Sequence, residues 1–174
     1  MPPKRLRPEA PPLTESSTLA LAEAVHDRCR ALGIRLATAE SCTGGLIAAA
    51  LTAIPGSSSV FDRGFVTYSN EAKTAMLGVP ADLLARRGAV DERVARAMAE
   101  GALAASNAEV AVAVTGIAGP DGGSATRPVG LVHFAAARTG AETLHQRHVF
   151  PGDRQEVRSA TVAAALELLM LRLA

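Results

Sequence analysis

Three short segments combine reactive side chains with residues too small to build a core: Ala39-Glu40-Ser41-Cys42-Thr43-Gly44-Gly45, Tyr68-Ser69-Asn70-Glu71-Ala72-Lys73, and the glycine-rich stretch from Thr115 to Gly123. Ser41 is a candidate nucleophile between a predicted strand and a predicted helix, where backbone N–H groups and the helix dipole favour negative charge. The same position is the ordinary place for a helix N-cap, so chemistry there depends on a base. Lys73 can be that base only if burial or a cationic neighbour lowers its pKa from about 10.4, which requires an enclosed pocket. Tyr68, the only tyrosine, could orient the hydroxyl or relay its proton. Cys42 is a weaker candidate, with no His near it in sequence. His26, His133, His145 and His148 fall on a predicted helix or on strands and read as structural or solvated. Neither GxSxG nor SxxK is present, since Gly44 stands where SxxK needs its Lys.

The remaining candidates concern binding. Glu40 either contacts substrate or holds the loop as a structural carboxylate. Gly44 and Gly45 open a helix whose free N–H groups, with Thr43 beside them, could hold a phosphate or an oxyanion. Thr115, Gly116 and Gly119 begin a loop whose backbone can approach a ligand closely. Asp121 reads as a turn residue. Arg154 and Arg158, on the first turn of the last helix, are solvated by default but suit a phosphate or a neighbouring subunit. GxxxxGK[ST] and GxGxxG are both absent, so nucleotide hydrolysis and dinucleotide binding lack their usual signatures.

Composition narrows the classes. The chain has 174 residues, 48% hydrophobic and 20% charged, enough for one domain with a substantial core. With 18 Lys+Arg against 17 Asp+Glu, it has no charge basis for binding nucleic acid or an anionic membrane. Aromatics at 3% disfavour base-stacking platforms and leave the core to Ala, Val, Leu and Ile. Two cysteines without zinc spacing fit a reducing compartment, and no apolar run reaches membrane-spanning length, so a cytoplasmic protein is expected, with no metal and no cofactor.

The elements that must position these residues follow from periodicity. Residues 1–14, with Pro2, Pro3, Pro8, Pro11 and Pro12, read as a disordered tail, and residues 15–174 as the domain. A helix is predicted over Ser17–Leu32, a strand over Ile34–Thr38, and a helix near Leu46–Ala53. A strand near Gly64–Tyr68 precedes a helix from Asn70, and Pro80 opens another. Asp91 caps a helix with Val94, Ala97, Met98, Gly101 and Ala105 on one face. Val110–Val114 is a strand buried on both faces. Val129–Ala136 and Thr143–Phe150 suggest a hairpin, and Asp153 caps the last helix. The expected fold is α/β, three-layered, with a mixed, mostly parallel sheet and helices on both faces. Ligands should collect beyond the carboxyl ends of the strands, where two of the three segments lie.

Taken together, TAESCTGG, GFVTYSNEAK, GAV, TGIAGPDGG, PVG and FPGDR, in this order, resemble the C-terminal domain of the CinA family, the nicotinamide-nucleotide amidohydrolases. The likeness covers Ser17 to the C-terminus and suggests the stand-alone form, without the molybdopterin-binding-like domain of longer members. It implies hydrolysis of nicotinamide mononucleotide to nicotinic acid mononucleotide and ammonia. The family's nucleophile falls on Ser41, and its Tyr and Lys on Tyr68 and Lys73. Oxyanion donors are expected around Thr43 to Gly45, and Glu40, Thr115, Gly116 and Gly119 around the nucleotide. A small-molecule nucleotide partner and a homo-oligomer are expected. The rival is a non-catalytic nucleotide-binding module associated with competence or DNA damage.

Overall fold

The computed structural model describes residues 15–174, and the tail expected over residues 1–14 lies outside the described residues. The chain runs α1 (Glu15–Leu32), β1 (Leu36–Glu40), α2 (Leu46–Thr52), a 3-10 turn (Ser57–Ser59), β2 (Phe61–Val66), α3 (Asn70–Leu77), α4 (Ala81–Arg87), α5 (Glu92–Ala104), β3 (Val110–Gly116), β4 (Leu131–Arg138), β5 (Ala141–Val149) and α6 (Arg154–Leu173). The sheet order is β2-β1-β3-β4-β5. β1 is parallel to both β2 and β3, while β4 is antiparallel to β3 and β5, so only β4 runs against the others. Thr139 and Gly140, the latter at φ +77°, make the tight β4–β5 turn. This is the mixed, mostly parallel sheet expected, with helices on both faces.

The two sheet faces are chemically different, and that sets the layer spacing. Leu36, Val110, Val112, Val114, Val132 and Phe134 point toward α1, α2 and α6, forming the larger core. The alternate residues Ala37, Ala39, Ala111, Ala113, Ala135 and Ala137 point the other way. Six methyl groups leave room for α5 to lie close, through Val94, Ala95, Met98, Ala99 and Ala102. The buried face of α5 is thus rotated from the expected Val94/Ala97/Met98/Gly101/Ala105 stripe. Gly101 faces α3 instead: a Cβ there would run into the Leu77 carbonyl.

β1 also differs from expectation, running from Leu36 to Glu40 instead of from Ile34 to Thr38. Its backbone finds partners on both sides through Glu40, paired with Val66 of β2 and Val114 of β3. The ladders continue past the strand end, with the Ser41 N–H donating to Val114 O and the Thr67 N–H to Glu40 O. The three segments are therefore brought together by backbone register.

Glu40 is fully buried, and its carboxylate is turned to α2. It accepts from Thr43 Oγ1 at 2.7 Å, the Ile47 N–H at 2.8 Å and the Ala48 N–H at 3.0 Å. A carboxylate under a helix N-terminus satisfies orphan donors and opposes the helix dipole. Of the two roles open to Glu40, these three hydrogen bonds fit the loop-holding one.

Two outcomes follow for stability. Gly101→Ala should lower unfolding free energy by about 1–3 kcal/mol in urea titration, although alanine is the better helix former, because the backbones of α3 and α5 must separate. Glu40→Ala should cost at least about 2 kcal/mol by the same measurement, since it leaves buried donors unpaired.

Candidate functional site

Beyond the carboxyl ends of β1 and β3 lies a cleft of about 300 Å3, lined by Ser41, Cys42, Tyr68, Lys73, the Ala89-Val90 pair, Thr115 to Gly119 and Arg154. Each contributor is placed by a local rule. Ser69 caps α3 by accepting from the Ala72 N–H, which sets the first turn so that Lys73 faces inward under the helix. Thr115 Oγ1 donates to Ala89 O at 2.8 Å and ties the segment before α5 to the end of β3. A Cβ at Gly116 would press on Leu131 O and Val132, so only glycine lets the chain leave β3 there.

Lys73 is the largest of the fully buried side chains, 1% exposed. Its Nζ lies 3.0 Å from Ser41 Oγ and donates to Thr67 O at 2.7 Å. Removal from water pushes its pKa below the usual 10.5, with the nearby Cys42 thiol acting in the opposite sense. A neutral amine has two N–H bonds and one lone pair. With an N–H held by Thr67 O, the lone pair can turn to the Ser41 hydroxyl. Cys42 lines the same cleft, but burial pushes its thiol up to about 11, so at neutral pH it is a thiol and a poor nucleophile.

Tyr68 is 60% exposed at the cleft rim. Its hydroxyl accepts from Arg154 Nη2 at 2.8 Å, and no hydrogen bond joins it to Ser41 or Lys73. Arg154 Nη1 donates to Gly119 O at 2.8 Å, so this guanidinium bridges the tyrosine segment and the glycine-rich loop. No histidine lines the cleft; His133 and His145 meet each other at 3.0 Å across β4 and β5. Among the described residues no group of three or more His, Cys, Asp or Glu gathers at metal-ligating distance.

Around Gly44-Gly45 most of the N–H groups expected to be free have partners. The Ile47 and Ala48 N–H groups donate to Glu40, the Gly44 N–H to Ser41 O, and the Leu46 N–H to Thr43 O. Thr43 is fully buried, and Thr43, Gly44 and Gly45 do not line the cleft. The residue after the serine, Cys42, does line it, and its N–H donates to no backbone carbonyl among the described residues. Sequence reasoning missed this donor, as it missed the Thr67 carbonyl and the Ala89-Val90 wall, because backbone atoms and loop proximity leave no signature in side-chain type.

Comparison with known proteins gives the arrangement its context. The model of the CinA C-terminal domain matches residues 18–173. The nicotinamide-nucleotide amidohydrolase PncC of Escherichia coli strain K12 is 51% identical over 157 residues, covering 90% of this chain and 95% of that protein. The crystal structure of the competence/damage inducible protein CihA from Agrobacterium tumefaciens superposes with a TM-score of 0.89 at 52% identity, covering 91% of this chain and 97% of that one. A CinA-superfamily protein from Escherichia coli gives a TM-score of 0.86 at 38% identity, over 93% and 94% of the two chains. With the Ser41–Lys73 contact beyond the ends of β1 and β3, and likeness over nearly all the described residues, the chain belongs to the CinA C-terminal domain family.

Proposed function

We propose that this chain is an amidohydrolase that converts nicotinamide mononucleotide to nicotinic acid mononucleotide and ammonia, a step of pyridine-nucleotide recycling. The observation that carries the reading is the contact of the buried Lys73 amine with the Ser41 hydroxyl, 3.0 Å apart. The likeness to PncC supplies the substrate.

In this mechanism the neutral Lys73 amine takes the Ser41 proton as Oγ attacks the carboxamide carbon. The oxyanion forms beside the Cys42 N–H. The Lys73 ammonium then protonates the departing nitrogen, releasing ammonia and leaving an ester on Ser41. Water attacks that ester, its proton passing to Lys73. The acid product then leaves as the proton returns to Ser41 Oγ. Tyr68 and Arg154 sit at the rim, where Tyr68 assists by holding the guanidinium that meets the 5′-phosphate. Thr115, Gly116 and Gly119 shape the nucleotide pocket through their backbone. The near-neutral chain suits a small anion held locally and not a nucleic acid.

The domain spans residues 15–174. Two buried free cysteines suit the cytoplasm, and no helix among the described residues is long and apolar enough to cross a membrane. Exposed Leu46, Val66 and Met76 support a homo-oligomer.

Purified protein should release ammonia from nicotinamide mononucleotide, and Ser41→Ala or Lys73→Met should lower kcat at least about 10²–10⁴-fold while circular dichroism stays unchanged. No release above the Ser41→Ala background would favour a nucleotide-binding module. The base works only when neutral, so kcat/KM should climb with pH through the depressed Lys73 pKa and level off above it. Nicotinamide mononucleotide should be the better substrate than its riboside. Arg154→Ala should remove about 10–100-fold of that preference, mainly through KM, the size of a charge-assisted hydrogen bond.

A further inference from the structure

We propose that Arg158 is a positioning residue for catalysis: it pins the Cys42 and Thr43 carbonyls and so holds still the turn that carries Ser41 and the Cys42 N–H, the donor that meets the oxyanion. This rests on the amidohydrolase reading of the same site.

Arg158 lies on α6 one turn beyond Arg154 and is half-buried. Its Nε–H donates to Cys42 O at 3.2 Å and its Nη2–H to Thr43 O at 3.1 Å. Thr43 O also accepts from the Leu46 N–H. Among the described residues no backbone N–H reaches Cys42 O, so the guanidinium supplies that carbonyl's hydrogen bond. On the other side of Cys42, the Gly44 N–H donates to Ser41 O at 3.1 Å.

Both peptide planes flanking Cys42 are therefore held. In a planar trans peptide, C=O and N–H point in opposite directions, so fixing Ser41 O fixes the line of the Cys42 N–H. Arg158 fixes the next plane and stops the residue from turning about its own bonds. Only a planar fork with two donors spans consecutive carbonyls at once, which a lysine ammonium does poorly. A Cβ at Gly44 would fall 3.5 Å from Arg158 Nη2, in ordinary contact, and it is the φ of +59° that favours glycine there. The two arginines thus have separable jobs. Arg154 itself lines the cleft and acts on binding, whereas Arg158 stands behind the serine loop, holds its carbonyls and acts on the rate.

The test uses two readouts on the full chain, steady-state turnover of nicotinamide mononucleotide and labelling of Ser41 by a fluorophosphonate followed by mass spectrometry. In the labelling reaction Ser41 Oγ bonds to phosphorus, fluoride leaves, the serine proton passes to Lys73 and on to solvent, and the phosphoryl oxygen occupies the oxyanion position. For Arg158→Met, kcat and the labelling rate should both fall roughly 10–100-fold, short of the loss from deleting an oxyanion donor, with KM changed less than about 3-fold. Arg158→Lys should recover part of the loss, and added guanidinium at low millimolar concentration should partly restore Arg158→Ala. Should Arg158→Met fail to fold, the lysine variant and the rescue decide. Unchanged kcat and labelling, a loss confined to KM, or a wild-type Ser41 that is not labelled would overturn the proposal. If wild-type protein releases no ammonia yet labelling depends on Arg158, the substrate reading fails and the positioning role stands. If ammonia is released and neither rate responds to Arg158, only the positioning role fails.

Discussion

A lysine ammonium in water holds its proton past pH 10, and a site that uses the amine as a base must make that charge costly. Here the cost comes from burial. α3 places Lys73 under its first turn, 1% exposed, against the Thr67 carbonyl and the Ser41 hydroxyl. Among the described residues no carboxylate is hydrogen-bonded to the amine to stabilise the ammonium; the buried acid Glu40 instead holds the start of α2 on the other side of the sheet. Strand β1 thus keeps Lys73 apart from Glu40, as a neutral amine requires under the proposed mechanism.

Much of the remaining architecture serves that separation. Alternation along β1 sends Glu40 to one face and Ser41 to the other. The alanine face lets α5 lie close to the sheet, and α3 packs on α5 through Gly101. Thr115 ties the segment before α5 to the end of β3, closing one wall of the cleft. Arg154 and Arg158 join the start of α6 to the rim and to the serine loop, so loops from distant parts of the chain meet on a single helix end.

Ser41, Tyr68 and Lys73 stood out from the sequence because reactive side chains amid small residues have no packing purpose, and their likeness to a known pattern added to this. The buried run Val110–Val114 and the cap at Asp153 were equally readable, since each is a local pattern. What escaped was set by tertiary partners. β1 ends two residues later than its apolar pattern suggests, because neighbours on both sides keep pairing through Glu40. The α5 stripe is rotated because alanines on three strands choose which side of the helix can approach. That the N–H groups of Ile47 and Ala48 are taken is not legible in the sequence, because the carboxylate that accepts them stands seven residues before Ile47. Arg158 carries no sign in its spacing that both its partners are main-chain carbonyls.

The central claim is that Lys73 is an uncharged amine at working pH in the folded protein. Its most direct measurement is an NMR titration of the Lys73 side chain, with Lys73→Met to assign the signal. A midpoint well below 10.5, coinciding with the rise of kcat/KM, is the predicted result. A midpoint at the ordinary lysine value, with turnover already at its plateau several pH units lower, would contradict the account.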